Sequence, residues 1–251
     1  MSTLSKTLAI LDFFGPDSLQ VSAETILERT GLSKATVYRH VKDLCDAGLI
    51  TRVGSGSYSL GPRIIELDWM MRQYDPILIA GRDVMHKLAE ETRLAVFSSV
   101  FYDDRIINTY IVEPTETFSF HFGRGQPIPL FSGAQSKVLV SYQKGRRLQK
   151  LFQEKIAGNP SHPYHDWSWQ DFSRAAKKIR KDGYCVTSNE LTGGLKGIAA
   201  PILQAGSKEA VGSICAVGTE ERFALLHNDS VIERVTETAD QIAANLAEAE
   251  A

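Results

Sequence analysis

Residues 22–60 read SAETILERTGLSKATVYRHVKDLCDAGLITRVGSGSYSL, and this stretch decides the fold of the N-terminal part of the chain. Ser22 and Ser33 each stand where a hydroxyl can cap a helix, and Gly31 between them can end the first helix. Apolar residues of the second helix recur at spacings of four and three and form one stripe: Val37, Val41 and Leu44. The stretch therefore predicts two short helices joined by a tight turn.

A β-hairpin is predicted directly after the second helix. Residues 49–53 and 58–60 carry strand-forming side chains, and the segment Gly54-Ser55-Gly56-Ser57 between them favours a turn. Two helices followed by a hairpin is the order of a winged helix-turn-helix, whose second helix enters the major groove of DNA. The hairpin can then lie along the phosphate backbone.

The second predicted helix keeps its polar and cationic residues apart from the apolar stripe, as a DNA-recognition helix requires. An arginine in the hairpin adds one more cation. The candidate contacts to phosphates and base edges are Ser33, Lys34, Thr36, Tyr38, Arg39, His40, Lys42 and Arg52. Because cations and acids nearly balance in this part of the chain, one copy should bind DNA modestly, which predicts binding as a dimer.

Two other functions stay open at this point. An amphipathic helix pair can serve protein docking instead of DNA contact, and the orientation of Lys34 and Arg39 discriminates between the two. An enzyme needs a nucleophile, an acid–base pair or a metal set, and His162, His165 and Asp166 form the only cluster with ligand-like spacing. This cluster lies in a proline-rich loop, and no third or fourth ligand is close in sequence, so no catalytic activity, metal or cofactor is expected.

Three short motifs of the N-terminal part resemble the IclR (isocitrate lyase regulator) family of bacterial transcription factors. They are GLSKATVYR at residues 31–39, Gly48-Leu49-Ile50, and YSLGPR at residues 58–63. The likeness continues through Gly183-Tyr184 and through GLKGIAAPI at residues 194–202. The resemblance implies a winged helix-turn-helix followed by an effector-binding domain with a GAF-like fold.

The chain is predicted to have an α+β architecture in three parts. Residues 1–61 form the DNA-binding domain, 62–74 a linker helix, and 75–251 the effector-binding and oligomerisation domain. The third part alternates helix and strand patterns, which indicates an antiparallel sheet with flanking helices. Asp103-Asp104 separates two strands of a hairpin, and the alternating Phe118, Phe120 and Phe122 predict a further strand.

The resemblance also implies an effector pocket, carried over to Leu130, Ser132, Gly133, Ala134, Thr187, Leu195, Gly197, Cys215 and Val217. Residues 131–134 lead into a helix N-terminus, whose N–H groups favour an anion. Many family members have an acidic pair and a cysteine where this chain has Thr187-Ser188 and Gly197, so the pocket is expected to be roomier and more apolar. The expected effector is an aromatic or otherwise hydrophobic carboxylic acid. The small residues are equally explained by close packing of helix on sheet.

The bulk properties fit a globular protein of one or two domains: 251 residues, 43% hydrophobic and 23% charged, with a net charge of -2. No stretch has the ~20 apolar residues of a membrane span. The odd number of cysteines, without metal-type spacing, fits a reducing interior, so a cytoplasmic location is expected. The expected partners are a pseudo-palindromic double-stranded DNA operator, a small-molecule effector and further copies of the chain, as a dimer or tetramer. Whether the effector releases or recruits DNA stays open.

Overall fold

A computed structural model describes residues 2–54, 56–113 and 123–250. The chain divides into two compact units, Met1–Asp75 and Pro76–Ala251. The predicted strand with Phe118, Phe120 and Phe122 lies outside the described residues. In the part that is described, no helix combines the length and apolar composition that a membrane crossing needs.

The first unit contains short helices and a small antiparallel sheet with the strand order β1-β3-β2. Its elements are α1 (Thr3–Leu8), a 3₁₀ turn (Ala9–Phe13), β1 (Val21–Ser22), α2 (Ala23–Thr30), α3 (Lys34–Asp46), β2 (Ile50–Val53), β3 (Ser57–Leu60) and α4 (Arg63–Tyr74). The hairpin of β2 and β3, called the wing, forms as predicted. Strand β1 was not predicted, because two residues are too few for a periodic pattern.

Serine caps fix the two helices of the helix-turn-helix. The Ser22 hydroxyl accepts from the N–H of Thr25, and the Ser33 hydroxyl accepts from the N–H of Thr36. Gly31 ends α2 with a φ of +63°, which a residue with a side chain rarely adopts. The apolar stripe of α3 packs into the core of the first unit, as its spacing predicted.

The second unit is built on an antiparallel sheet in which the described strands have the order β6-β5-β4-β9-β8-β7. Its strands are β4 (Ala95–Tyr102), β5 (Arg105–Val112), β6 (Pro127–Ile128), β7 (Cys185–Ser188), β8 (Leu195–Leu203) and β9 (Ala210–Thr219). Its helices are α5 (Pro76–Thr92), α6 (Ala134–Ser141), α7 (Gly145–Leu151), α8 (Trp169–Asp182), α9 (Glu220–Ala224) and α10 (Asn228–Glu250), and a π-helical turn (Phe152–Ala157) follows α7.

Alternate residues of each strand point to opposite sides of this sheet, and both faces carry apolar side chains. Helices therefore cover both faces. One core joins the sheet to α5 and α10 and includes Met85, Ile214 and Val235. The other core joins it to α6, α7 and α8 and includes Phe97 and Phe172. The second core surrounds the end of α6, where the effector pocket was expected.

Candidate DNA-binding helix and effector cavity

One face of α3 is open to solvent, and it carries most of the residues proposed to contact DNA. The exposed candidates are Ser33, Lys34, Tyr38, Arg39 and Lys42 on α3 and its cap, and Arg52 on the wing. Thr36 is half-buried, and its hydroxyl lies 2.9 Å from that of Ser33. Among the described residues, none of the four cations in this set forms a salt bridge with a carboxylate. They are therefore free to pair with phosphates.

His40 does not belong to the exposed face, so the prediction that it faces DNA is wrong. Its side chain is 1% exposed, and Nδ1 is hydrogen-bonded to the Thr7 hydroxyl of α1 at 2.7 Å. Position 40 is three residues after Val37 and four before Leu44, and helical geometry places such a residue within the apolar stripe. His40 therefore connects α3 to α1 inside the core.

A cavity of about 60 Å³ lies between the N-terminal end of α6, strands β7 to β9, and the loop that joins β7 to β8. Six residues of the predicted pocket line it: Gly133, Ala134, Thr187, Leu195, Gly197 and Val217. Sequence reasoning missed the remaining lining residues: Phe97, Asn108, Gln135, Glu190, Leu191, Thr192 and Lys196. Alternation along β4 and β5 could have indicated Phe97 and Asn108, but the register between strands was not known.

Three residues of the predicted pocket do not line this cavity. The carbonyl oxygen of Leu130 accepts a hydrogen bond from Nε2 of His162 at 2.6 Å. Ser132 is buried, and so is Cys215. A Cβ atom added at Gly197 would lie 3.5 Å from Cys215 Sγ, so the sulfur lies beside the wall of the cavity and not at its surface.

The cavity is smaller than the roomy, apolar pocket that the sequence predicted. Pockets that enclose a drug-sized ligand commonly measure ~300 to 1,000 Å³. The side chain of Leu191 takes up the space, because a Cβ atom at Gly133 would lie only 2.4 Å from Leu191 Cδ1. The carboxylate of Glu190 adds a charge that the sequence analysis did not place there.

Glu190 is held at the N-terminus of α6 by three donors. The N–H of Gly133 donates to Oε2 at 3.0 Å, and Lys137 Nζ donates to Oε1 at 2.5 Å. The Tyr164 hydroxyl accepts from Lys137 Nζ at 2.7 Å and donates to Glu190 Oε1 at 3.3 Å. Burial acts to lower the pKa of Lys137, but its bonds to Glu190 and Tyr164 outweigh this, and the pKa lies above its usual value. Lys137 is therefore charged at neutral pH.

The two histidines of the proline-rich loop, His162 and His165, use their ring nitrogens in hydrogen bonds to the backbone. The backbone N–H of Tyr164 donates to Nδ1 of His162 at 3.1 Å, so Nε2 carries the proton that bonds Leu130. Nδ1 of His165 lies 2.8 Å from the carbonyl oxygen of His162. Within the described residues, no group of three or more His, Cys, Asp or Glu side chains could hold a metal ion.

Comparison with known proteins identifies the fold and family. Residues 73–244 match the bacterial transcriptional regulator IclR C-terminal family, and residues 3–54 match the IclR helix-turn-helix domain. The chain belongs to the IclR family. This IclR-family protein is accordingly a transcriptional regulator, and the α+β architecture predicted from the sequence is confirmed.

Curated relatives of this IclR-family protein are also regulators. The HTH-type transcriptional regulator KipR of Bacillus subtilis is 26% identical over 244 residues, which cover 96% of this chain and 95% of KipR. The p-hydroxybenzoate hydroxylase transcriptional activator of Acinetobacter baylyi is 24% identical over 245 residues, or 95% of this chain and 89% of the activator.

Solved structures of IclR-family proteins share the fold. A transcriptional regulator from Silicibacter sp. TM1040 has a TM-score of 0.82 at 19% identity, covering 98% of this chain and 96% of that one. An IclR homolog from Microbacterium hydrocarbonoxydans, complexed with 4-hydroxybenzoate, has a TM-score of 0.76 at 18% identity and covers 98% of this chain and 100% of that one. At such identities the likeness establishes the fold alone.

Proposed function

We propose that this regulator binds a pseudo-palindromic DNA operator through α3 and the wing, and that a small aromatic carboxylic acid in the α6 cavity modulates this binding. The observation that carries the DNA part is the set of exposed cations on α3 and β2, for which the described residues offer no carboxylate partner. Phosphate contacts from such cations position a protein on the duplex, and base contacts add specificity.

The proposed DNA-contacting residues are Ser33, Lys34, Thr36, Tyr38, Arg39, Lys42 and Arg52. Arg39 has the greatest weight among them, because a guanidinium can bond a phosphate or a guanine edge through two N–H groups at once. The proposal keeps the division into a DNA-binding part at 1–61, a linker at 62–74 and an effector part at 75–251. A protein that acts on operator DNA would work in the cytoplasm.

The proposed effector is an aromatic carboxylic acid. Two observations support this class: a relative is named for p-hydroxybenzoate hydroxylase, and a structural neighbour was solved with 4-hydroxybenzoate. The cavity itself offers apolar walls at Phe97, Leu191 and Val217 and anion-binding donors near Gly133. The other expected pocket residues, Leu130, Ser132 and Cys215, would pack behind the residues that line the cavity.

The proposed assembly is a homodimer or homotetramer. Helix α4 has no buried residue, although it carries large apolar side chains. Ile65 is 72% exposed, Trp69 62% and Tyr74 77%. Exposed apolar surface of this kind marks interaction sites. A second copy of the chain would cover this face and pair two helix-turn-helix units on the two half-sites.

The DNA part is tested with the full-length protein and double-stranded fragments that it selects from a random library. Fluorescence anisotropy should show that Arg39→Ala loses ~1 to 3 kcal/mol of operator binding with an unchanged fold. Lys208→Ala is the matched control, because Lys208 is an exposed cation of the second unit. Equal binding by wild type and Arg39→Ala would remove Arg39 from the DNA-contacting set, and the absence of salt-dependent binding by wild type would favour protein docking over DNA contact.

The effector part is tested on the same complex. A library of carboxylic acids, including benzoate and 4-hydroxybenzoate, is screened first for an increase in the thermal midpoint and then for a change in operator affinity. Coupling between effector and operator should fall near ~1 to 3 kcal/mol. Tighter binding of pyruvate or glyoxylate than of benzoate-type acids would contradict the proposed ligand class.

A further inference from the structure

The anion site at the start of α6 is already filled by a carboxylate of the chain itself. Both oxygens of Glu190 are bonded, one to the Gly133 N–H and the other to Lys137 and Tyr164. The ion pair is well covered, since the side chain of Lys137 is 12% exposed and that of Glu190 23%. Lys137 Nζ also lies 4.8 Å from the ring centroid of Tyr164 and 5.6 Å from that of Phe131.

A carboxylate effector cannot simply be added to this arrangement. Glu190 is paired with the ammonium group of Lys137, while that of Lys196, which also lines the cavity, is bonded to Asn228 Oδ1 at 2.9 Å. Two carboxylates that share a site repel each other strongly. The remaining cavity of about 60 Å³ is also too small for a benzene ring with its carboxylate. Leu191, the neighbour of Glu190, occupies the space in front of Gly133. The same short loop therefore supplies both the competing charge and the obstructing side chain.

We propose that Glu190 is a built-in occupant of the anion site, and that a carboxylate effector binds by displacing it. This inference rests on the effector cavity of the proposed function. The exchange keeps the charge of the site constant, because one carboxylate replaces another on Lys137, Tyr164 and Gly133. Glu190 gains hydration in return as it leaves. Withdrawal of Glu190 carries Leu191 with it and opens the space that a ring requires.

The displaced segment, residues 189–194, is bonded to Glu220, the first residue of α9. Asn189 Nδ2 donates to Glu220 Oε1 at 2.7 Å, and the N–H of Glu220 donates to the carbonyl oxygen of Gly194 at 3.1 Å. Two residues on, the guanidinium of Arg222 donates to the carbonyl oxygen of Thr92 at 3.0 and 2.8 Å. Thr92 ends α5. Displacement of Glu190 thus acts on a chain of contacts that leads to the first helix of the second unit.

Competition by Glu190 lowers the apparent affinity for the effector, because only the fraction of molecules with an open site can bind. The full-length variant Glu190→Gln keeps the size of the side chain and its bond from Gly133, but loses the charge that Lys137 attracts. Isothermal titration with benzoate should give a dissociation constant about tenfold or more below that of wild type. Glu221→Gln, which removes an exposed charge of α9 and leaves the bond between Asn189 and Glu220 in place, should leave it unchanged.

A second variant tests the site without any assumption about the natural effector. Glu190→Ala leaves the largely buried ammonium group of Lys137 without its carboxylate. The thermal midpoint of this variant should therefore fall below that of wild type. Acetate, at constant ionic strength, should restore part of the loss with a saturable dose dependence. Acetate should not raise the midpoint of wild type, of Glu221→Ala, or of the double variant Glu190→Ala with Lys137→Met.

The outcomes separate the inference from the proposed function. Equal responses of Glu190→Ala and Glu221→Ala to acetate, or unchanged benzoate affinity in Glu190→Gln, overturn displacement. If a carboxylic acid still alters operator binding by wild type in that case, the effector function stands by itself. Rescue by acetate with no effect of any acid on operator binding supports Glu190 as occupant and removes the regulatory role of the cavity.

Discussion

His40 lies in the core of the first unit and does not face DNA, so its substitution should change stability and not operator binding. His40→Ala removes one of the two partners of the buried Thr7 hydroxyl, which also donates to the carbonyl oxygen of Thr3, and leaves a void beside it. The free energy of unfolding should fall by ~1 to 3 kcal/mol. Chemical denaturation measures this change, and operator affinity at low temperature should remain that of wild type. A variant with intact stability and weak operator binding would restore His40 to the DNA-contacting set.

The three thiols should differ in reactivity. Burial, ahead of the charges of Lys137 and Glu190, raises the pKa of Cys185 to about 11. Burial also raises the pKa of Cys215, which is fully enclosed. A raised thiol pKa lowers the thiolate fraction at a given pH, and thiolate is the reactive species. Iodoacetamide at pH 8, followed by peptide mass spectrometry, should label the half-buried Cys45 first. Equal labelling of all three in the folded protein would contradict this order.

Ser33 caps the helix that is proposed to contact DNA, whereas Ser22 caps the helix before it. Both serines cap a helix by accepting a backbone N–H, so Ser22→Ala and Ser33→Ala should each cost ~0.5 to 2 kcal/mol of stability. Ser33 also begins the helix proposed to enter the major groove. Operator affinity, measured well below both thermal midpoints, should fall only for Ser33→Ala. An equal loss in both variants would mean that the helix caps, and not a DNA contact, set the affinity.

Exposed apolar residues of α4 predict that the whole molecule self-associates. Ile65→Glu places a charge on the face proposed to pair with a second copy, and its burial there would be costly. Sedimentation velocity should show a smaller oligomer than wild type, and operator binding should weaken because two half-sites are no longer held together. Leu19→Glu is the matched control, since Leu19 is exposed in the same unit but outside α4. An unchanged oligomer in Ile65→Glu would require a different interface.

Much of the fold follows from local sequence patterns. Capping serines and Gly31 set the bounds of α2 and α3, and the stripe of Val37, Val41 and Leu44 set which face is buried. The turn at Asp103-Asp104 was predictable for the same reason, and both residues adopt positive φ there. Each of these features depends on neighbours within a few positions in the chain. The spacing of His40 from Val37 and Leu44 was enough to predict that it is buried. The prediction was missed because histidine is polar.

The amino-acid sequence alone determined the helix-turn-helix, the wing, the α+β character of the second unit and the start of α6 at Gly133-Ala134. Only the tertiary structure decided that Glu190 occupies the helix N-terminus and that Leu191 fills the cavity. These side chains meet Gly133 from more than fifty positions away, because the sheet register brings the loop between β7 and β8 over the end of α6. Patterns that span a few residues cannot reveal such contacts, and the proposed effector cavity depends on them.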